Sequence, residues 1–150
     1  MSAVAEYAAS EMRYWCATDA YGGVGYSQPN RWSAYDASDW AGWLRGPGEM
    51  DCSAGVAGAY NIGFHECLPE AERPPLFPRD TYTGNLRSYA LARGFTDVGD
   101  SWTGSVPDGG LAVGDLLLVD PGHVAMVVRD LDGGFDPDDP LLAEAWIDAA

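Results

Sequence analysis

The chain has 150 residues, of which 47% are apolar and 21% charged, so it is long enough for one domain around a single core. Eight arginines, no lysines and 23 acidic residues give a formal net charge of -15. This balance excludes the concentrated basic surface that nucleic acids and anionic membranes require. The longest apolar runs fall well short of the roughly 18 residues of a membrane span, so no membrane insertion is expected.

The N-terminal stretch predicts a helix rather than a targeting signal. Residues 1 to 15 contain two glutamates and lack a basic head followed by an apolar block, so we expect no signal peptide. Apolar side chains recur at helical spacing at Val4, Tyr7, Ala8 and Met12. We therefore predict a helix over residues 2 to 16.

Residues 18 to 48 are rich in Gly, Pro, Asn, Asp and aromatic residues, which predicts a long ordered loop with a short helix near Ser38 to Leu44. Loops of this length are uncommon in small domains unless they shape a site. Two interpretations stay open: the aromatic side chains line a substrate groove, or they only anchor the loop on the core. These side chains are Tyr21, Tyr26, Trp32, Tyr35, Trp40 and Trp43.

Small and apolar residues after Cys52 predict a helix that begins at this cysteine, with Asp51 as its N-cap. A cysteine attacks a carbonyl carbon as the thiolate, and the positive end of a helix dipole stabilises that anion. The adjacent carboxylate of Asp51 opposes it. A cation is therefore needed near Cys52 if the thiol is a nucleophile.

Beyond this helix the sequence predicts a connector and then a second helix. The four prolines in residues 66 to 80 exclude regular structure there. Residues 81 to 95 have helical periodicity, with Thr83 as the expected N-cap and Gly94 as the expected stop.

The C-terminal third predicts strands. LLLVD (116 to 120), HVAMVVR (123 to 129) and LLAEAWID (141 to 148) are β-favouring runs separated by turn residues, which indicates an antiparallel meander. Helices followed by strands are typical of an α+β fold, in which helices pack on one face of a small sheet.

Two histidines are candidates for the cation. His65 lies at the far end of the predicted Cys52 helix, ~20 Å away, and cannot reach the sulfur. His123 opens a predicted strand, where its side chain can meet a second element. The alternative for His123 is a partly buried polar side chain with one hydrogen bond.

A catalytic imidazole also needs an acceptor that orients its far nitrogen. Glu144 lies in the next β-like run, where an antiparallel hairpin can bring it beside His123. Asp120 and Asp148 are the competing acceptors. The alternative for Glu144 is a solvated charge at a sheet edge.

The other cysteines and the acidic residues predict neither a disulfide scaffold nor a metal site. The chain has three cysteines, Cys16, Cys52 and Cys67, and because this number is odd at least one thiol has no disulfide partner within the chain. Cys16 and Cys67 are assigned to packing, and a bond between them under oxidising conditions stays open. HEC, at residues 65 to 67, has no second closely spaced pair, and the acidic loop at 130 to 139 misses the EF-hand spacing. We expect no metal and no cofactor.

Three stretches resemble, in their order along the chain, the signature of NlpC-type cysteine peptidases, a papain-like group that cleaves bacterial cell walls. They are MDCSAGVAGA, GDLLLVDPGHVAMVV and LAEAWID. GYSQPNRW before the cysteine and TYTGNLRSYALARGF after it make the chain most similar to the peptidoglycan hydrolase domains of bacteriophage endolysins. The resemblance covers most of the chain.

The resemblance implies a papain-like fold with Cys52 as nucleophile, His123 as general base and acid, and Glu144 as the orienting group. It further implies metal-free hydrolysis of an amide bond in peptidoglycan through an acyl-enzyme. The bond belongs either to the stem or cross-bridge peptide, cleaved by an endopeptidase, or to the N-acetylmuramoyl-L-alanine link, cleaved by an amidase. Tyr26, Gln28 and Trp32 are expected to line the substrate groove.

The expected partner is bacterial peptidoglycan, and residues 1 to 150 are expected to form one catalytic domain with no cell-wall-binding module. A separate wall-binding module or a larger assembly stays open as a further partner. Synthesis in the host cytoplasm and action at the wall after release follow from the resemblance. The alternatives are a non-catalytic wall-recognition or assembly module on the same scaffold, and a papain-like acyltransferase or toxin-type amidase.

Overall fold

The computed structural model describes residues 2–98, 110–119 and 122–145. The α-helices in these residues are α1 (Ser2–Ala17), α2 (Ser33–Ala37), α3 (Cys52–Cys67) and α4 (Thr83–Leu91), and single 3₁₀ turns cover Ala20–Gly22 and Glu70–Glu72. The strands are β1 (Val24–Tyr26), β2 (Gly48–Met50), β3 (Leu116–Val119), β4 (His123–Val128) and β5 (Leu141–Ala143). No helix in these ranges is both long and apolar enough to cross a bilayer.

The α+β prediction is confirmed. Strands β3, β4 and β5 form an antiparallel sheet with β4 in the centre, in which Leu117 faces Ala125 and Val127 faces Leu142. Helices α1 and α3 both pack against β4. Residues 124 to 128 are all buried, and Val124, Met126 and Val128, which share one face of the strand, join the hydrophobic core.

Helix α3 is the centre of the core, and residues 52 to 64 are all buried. Its glycines let neighbouring elements come close to its backbone. A Cβ built at Gly63 would lie 3.0 Å from the carbonyl oxygen of Val4 on α1, and one at Gly58 would lie 3.1 Å from the ring of Tyr35. The small residues after Cys52 therefore allow close helix packing, which holds the start of α3 at a fixed place beside the sheet.

The region between α1 and α3 differs from the predicted loop. It contains α2 and a two-stranded parallel sheet, in which β1 and β2 pair with Val24 opposite Gly48. The short helix predicted near Ser38 to Leu44 is wrong, since those two residues form an antiparallel bridge. The chain reverses between them because Gly42 adopts a left-handed conformation, with φ of 95°, which a helix does not allow.

The second predicted helix is present as α4, with a small correction at its start. Thr83 is the first helical residue rather than the cap, and the Asn85 side chain accepts a hydrogen bond from the N–H of Tyr82 at 2.7 Å. Gly94 has φ of 90° just beyond the helix, which agrees with its expected role as the stop.

The acidic residues 130 to 139 form the loop that joins β4 to β5. The N–H of Asp130 donates to the carbonyl of Gly134 at 2.8 Å, and Gly133 takes a left-handed conformation in this turn. Most of its side chains are exposed. Across residues 2–98, 110–119 and 122–145, no group of three or more His, Cys, Asp or Glu side chains could hold a metal ion.

Candidate functional site

Cys52 is the first residue of α3 and is 8% exposed. Asp51 caps the helix, since its Oδ1 accepts a hydrogen bond from the N–H of Ala54 at 2.8 Å and another from the Ser53 hydroxyl at 3.2 Å. This cap fixes the backbone on both sides of the cysteine. The sulfur therefore lies at the positive end of a helix whose first 13 residues are buried.

The sulfur of Cys52 lies against the start of β4. The backbone N–H of Val124 is close enough to the sulfur to lower the pKa of the Cys52 thiol. Since this N–H belongs to the peptide group that joins His123 to Val124, the sulfur lies beside the backbone of His123. Residues that are far apart in sequence meet here because α3 packs against β4.

Opposing influences act on the ionisation of Cys52. Burial raises the pKa of the Cys52 thiol, and the neighbouring carboxylate of Asp51 raises it further. The backbone N–H groups of Val124, Ser53 and Cys52 lower the pKa, because their dipoles favour the negative thiolate. Burial outweighs these donors, so the thiol keeps its proton unless a base takes it.

His123 and Glu144 are hydrogen-bonded side chain to side chain. The His123 Nε2 lies 2.6 Å from Glu144 Oε2. In the register of β4 and β5, Met126 lies opposite Ala143. Because the strands are antiparallel, the chain after Ala143 runs towards the start of β4, which brings Glu144 near His123. The alternative acceptors Asp120 and Asp148 lie outside the described residues.

The other two thiols lie against backbone carbonyls. Cys16, at the end of α1, has its sulfur 3.7 Å from the carbonyl oxygen of Glu144, and burial raises the pKa of this thiol to about 11. Cys67 has its sulfur 3.5 Å from the carbonyl oxygen of Ala3. All three cysteines are free, and Cys16 links α1 to the segment that carries Glu144.

Two of the three predicted groove residues lie beside the start of α3. Because β1 runs parallel to β2, Tyr26 faces Met50, and the N–H of Ser27 donates to the Met50 carbonyl at 3.1 Å. Gln28 follows, with its side-chain Nε2 3.5 Å from the Tyr26 hydroxyl. This end of β1 therefore lies one residue away from the Asp51 cap.

Trp32, the third predicted groove residue, is held in the core. It is 7% exposed, and its indole N–H donates to the carbonyl of Arg79 at 2.9 Å. Tyr35 packs edge-on against it with the ring centroids 5.5 Å apart. By contrast, Tyr21 and Trp43 are more than half exposed. Trp32 thus fits the interpretation in which the aromatic residues anchor the segment on the core, and a groove lined by the exposed aromatic residues stays a prediction.

His65 lies at the opposite end of α3 from Cys52, as its spacing predicts. Its ring stacks on Trp40 with the centroids 4.3 Å apart and an interplanar angle of 12°. It takes no part in the site around Cys52.

Sequence reasoning considers only histidines as the cation near Cys52 and misses Arg31. This arginine lies within GYSQPNRW, and its Nη1 is 3.3 Å from Asp51 Oδ2. A usable signal was present: the chain has only eight basic residues, and one of them falls in a stretch that the family resemblance already marks.

Comparison with known proteins gives one family. The family model of the endolysin-like domain matches residues 1–133, a range that contains Cys52 and His123 and ends before Glu144. No curated protein and no solved structure gives a significant match. The match covers well over half of the sequence and agrees with the endolysin part of the resemblance. The chain therefore belongs to the endolysin-like domain family.

Proposed function

We propose that this chain is a metal-free cysteine hydrolase that cleaves an amide bond in bacterial peptidoglycan, with an NlpC-type, papain-like mechanism. The observation that carries the proposal is the packing of α3 against β4, which brings the start of the Cys52 helix to the strand that His123 opens, with the Val124 N–H near enough to lower the pKa of the thiol. The 2.6 Å hydrogen bond between His123 and Glu144 supports it, as does membership of the endolysin-like domain family.

In the proposed reaction His123 takes the proton of the Cys52 thiol, and the thiolate attacks the carbonyl carbon of the substrate amide. Because Nε2 of His123 bonds to Glu144, we assign the exchange with sulfur to Nδ1. The tetrahedral intermediate collapses when the C–N bond breaks and the imidazolium protonates the leaving amine. A water molecule, deprotonated by His123, then hydrolyses the thioester and restores the thiol.

Because the pKa of the Cys52 thiol is raised, the proposed mechanism requires His123 to remove the thiol proton. Since burial disfavours the isolated thiolate, the anion forms together with the imidazolium as an ion pair. Glu144 then orients the ring and stabilises its positive charge. The N–H of Cys52, at the start of α3, is the proposed donor to the oxyanion, a contribution commonly worth ~3 kcal/mol.

The proposed site of action is the bacterial wall, reached after release from the host cytoplasm, and Tyr26 and Gln28 are proposed to contact the substrate. Two bonds fit the chemistry, and their products differ. An amidase frees intact stem peptides from the glycan, whereas an endopeptidase leaves peptide stubs attached to it. Mass spectrometry of the products released from purified sacculi identifies the bond.

The first test replaces the nucleophile. We expect Cys52→Ala to abolish clearing of a wall suspension while its thermal unfolding stays close to that of the unchanged protein, because the residue only loses a sulfur atom. Cys67→Ala, at the far end of α3, is the matched control and should keep its activity. If Cys52→Ala still clears walls, the hydrolase proposal is wrong and a non-catalytic wall-recognition module on the same scaffold is favoured.

A further inference from the structure

An arginine packs directly behind the start of α3. The Nη1 of Arg31 lies 3.3 Å from Asp51 Oδ2 and 3.2 Å from the Ser53 hydroxyl, so one guanidinium nitrogen contacts the residues on both sides of Cys52. Its Nη2 donates to the carbonyl of Arg79 at 2.9 Å. The side chains of Arg31 and Asp51 are only 17% and 11% exposed.

The surroundings hold this guanidinium in one place. The Arg79 carbonyl that accepts from Arg31 also accepts from the indole of Trp32, at 2.9 Å. Arg79 itself pairs with Asp36 and lies over the Trp32 ring, 5.6 Å from its centroid. An exposed ion pair contributes little because water screens it and its side chains move. The pair of Arg31 and Asp51 is shielded and anchored at a third point.

Asp51 has two effects that conflict. Its carboxylate accepts the N–H of Ala54, which fixes the first turn of α3 and with it the position of Cys52. The same negative charge lies one residue from the sulfur and favours the neutral thiol over the thiolate. An ionised and unpaired carboxylate at the helix cap would thus fix the position of Cys52 and at the same time disfavour its thiolate.

The charged and titratable side chains on the segments near the start of α3 come from several elements. Asp51 is the N-cap that precedes α3, Arg31 lies in the segment after β1, Tyr26 in β1 and Glu49 in β2. His123 begins β4, Glu144 follows β5 and Cys16 lies at the end of α1. Arg31 is the permanently charged cation among them, and it is bonded to the carboxylate that raises the pKa of the Cys52 thiol.

We propose that Arg31 is a positioning residue of the cysteine site. Its guanidinium pairs with the Asp51 carboxylate and the Ser53 hydroxyl. The carboxylate that caps α3 is therefore paired with a positive charge and is not an unpaired negative charge beside Cys52. The importance of this role for catalysis rests on the proposed function. The role itself concerns the chemistry of the thiol and is measurable without a wall substrate.

The test measures how fast iodoacetamide alkylates Cys52 as a function of pH, followed by mass spectrometry of the peptide that contains it. Arg31→Gln keeps hydrogen-bond donors near Asp51 and loses the charge, and we expect it to move the midpoint of the profile upward by about 0.5 to 1 unit. Arg31→Lys keeps the charge and is the matched control. Its midpoint should stay within about 0.2 unit of the unchanged protein.

Asp51→Asn completes the comparison, because asparagine caps a helix as well as aspartate does. Asp51→Asn should lower the midpoint, and adding Arg31→Gln to Asp51→Asn should leave it close to the value for Asp51→Asn alone, because Arg31 then has no carboxylate to pair with. A midpoint for Arg31→Gln within about 0.2 unit of the unchanged protein would overturn the proposal, and so would an upward shift that persists in full when Asp51 is asparagine.

Two further readouts separate this proposal from others. Thermal unfolding is measured for each variant, since a merely structural role would lower the melting temperature and leave the alkylation midpoint unmoved. Wall clearing by the unchanged protein is measured in parallel. An alkylation shift without any wall clearing supports the role of Arg31 and contradicts the hydrolase proposal. Wall clearing without the shift contradicts the role of Arg31 alone.

Discussion

The side chain of Glu144 is 46% exposed, yet its Oε2 bonds to His123 at 2.6 Å. A half-exposed carboxylate is partly screened by water, so its effect on the imidazole depends on orientation as well as charge. The contact between the Cys16 sulfur and the Glu144 carbonyl helps to hold the backbone in the position that makes this bond.

Replacing the carboxylate tests that role. We expect Glu144→Gln to slow wall clearing by about 10- to 100-fold, because the amide can still orient the ring but no longer balances the positive imidazolium. Asp138→Asn, an exposed carboxylate in the loop between β4 and β5, is the control and should change little. Equal rates for the two variants would identify Glu144 as an ordinary edge charge.

Glu11 is a second carboxyl with an unusual environment. It lies on α1, is 5% exposed, and its Oε1 has no hydrogen-bond partner among the described residues. Burial, with a smaller contribution from Asp39, raises the pKa of Glu11 from 4.5 to about 8. The folded protein therefore keeps a proton at neutral pH that the unfolded chain releases.

The sign of the pH effect follows. Between about pH 4.5 and 8 unfolding releases a proton, so the free energy of unfolding should fall as the pH rises through this window, by a few kcal/mol in total. Glu11→Gln has no proton to lose at this position, so its free energy of unfolding should depend less on pH. Compared with the unchanged protein, the variant should therefore be relatively more stable at pH 8 than at pH 5. Urea unfolding of both proteins at several pH values measures this. Parallel curves would show that Glu11 ionises normally.

At the scale of elements, the turn after α2 determines how the loop of residues 38 to 44 packs on α1. Gly42 has φ of 95°, and a Cβ built on it would lie 1.8 Å from Oε2 of Glu11. The Tyr7 hydroxyl donates to the Ala41 carbonyl at 2.8 Å, which fixes the loop on the same helix. The turn and the helix therefore depend on each other.

We expect Gly42→Ala to lower the free energy of unfolding by about 1 to 3 kcal/mol, because the left-handed backbone is strained for a residue with a Cβ and the buried Glu11 carboxyl would have to move. Gly46→Ala, in the same segment, has no atom within 4 Å of its new Cβ and should change stability by less than about 1 kcal/mol. Equilibrium urea unfolding compares the two. Equal losses would contradict the contact between the turn and α1.

At the scale of the whole molecule, the net charge of -15 acts on any encounter with an anionic wall. Charges of like sign repel over a distance set by the ionic strength, ~30 Å at 0.01 M salt and ~8 Å at 0.15 M. We expect the initial rate of wall clearing to rise several-fold across this range. A small neutral peptide substrate should show no such rise, and a rate on walls that falls with salt would indicate that attraction dominates.

Much of the architecture could be predicted from the sequence because its signals are local. The apolar period of α1, the small residues of α3 and the alternation of runs and turns after Leu111 each depend on neighbours in the chain. The helix predicted over residues 38 to 44 was wrong because propensity cannot show a left-handed glycine. The β1 and β2 pair escaped prediction because strands of three residues carry too little periodicity.

By itself the sequence determined the α+β order, the capped helix at Cys52 and the histidine that opens a strand. Only the tertiary structure decided that the Cys52 sulfur meets the peptide group of His123 and Val124, and that Arg31 pairs with Asp51. The physical reason is range: caps and periodicities are properties of a few adjacent residues, whereas these contacts join segments 20 or more residues apart and exist only once α3 has packed against its neighbours.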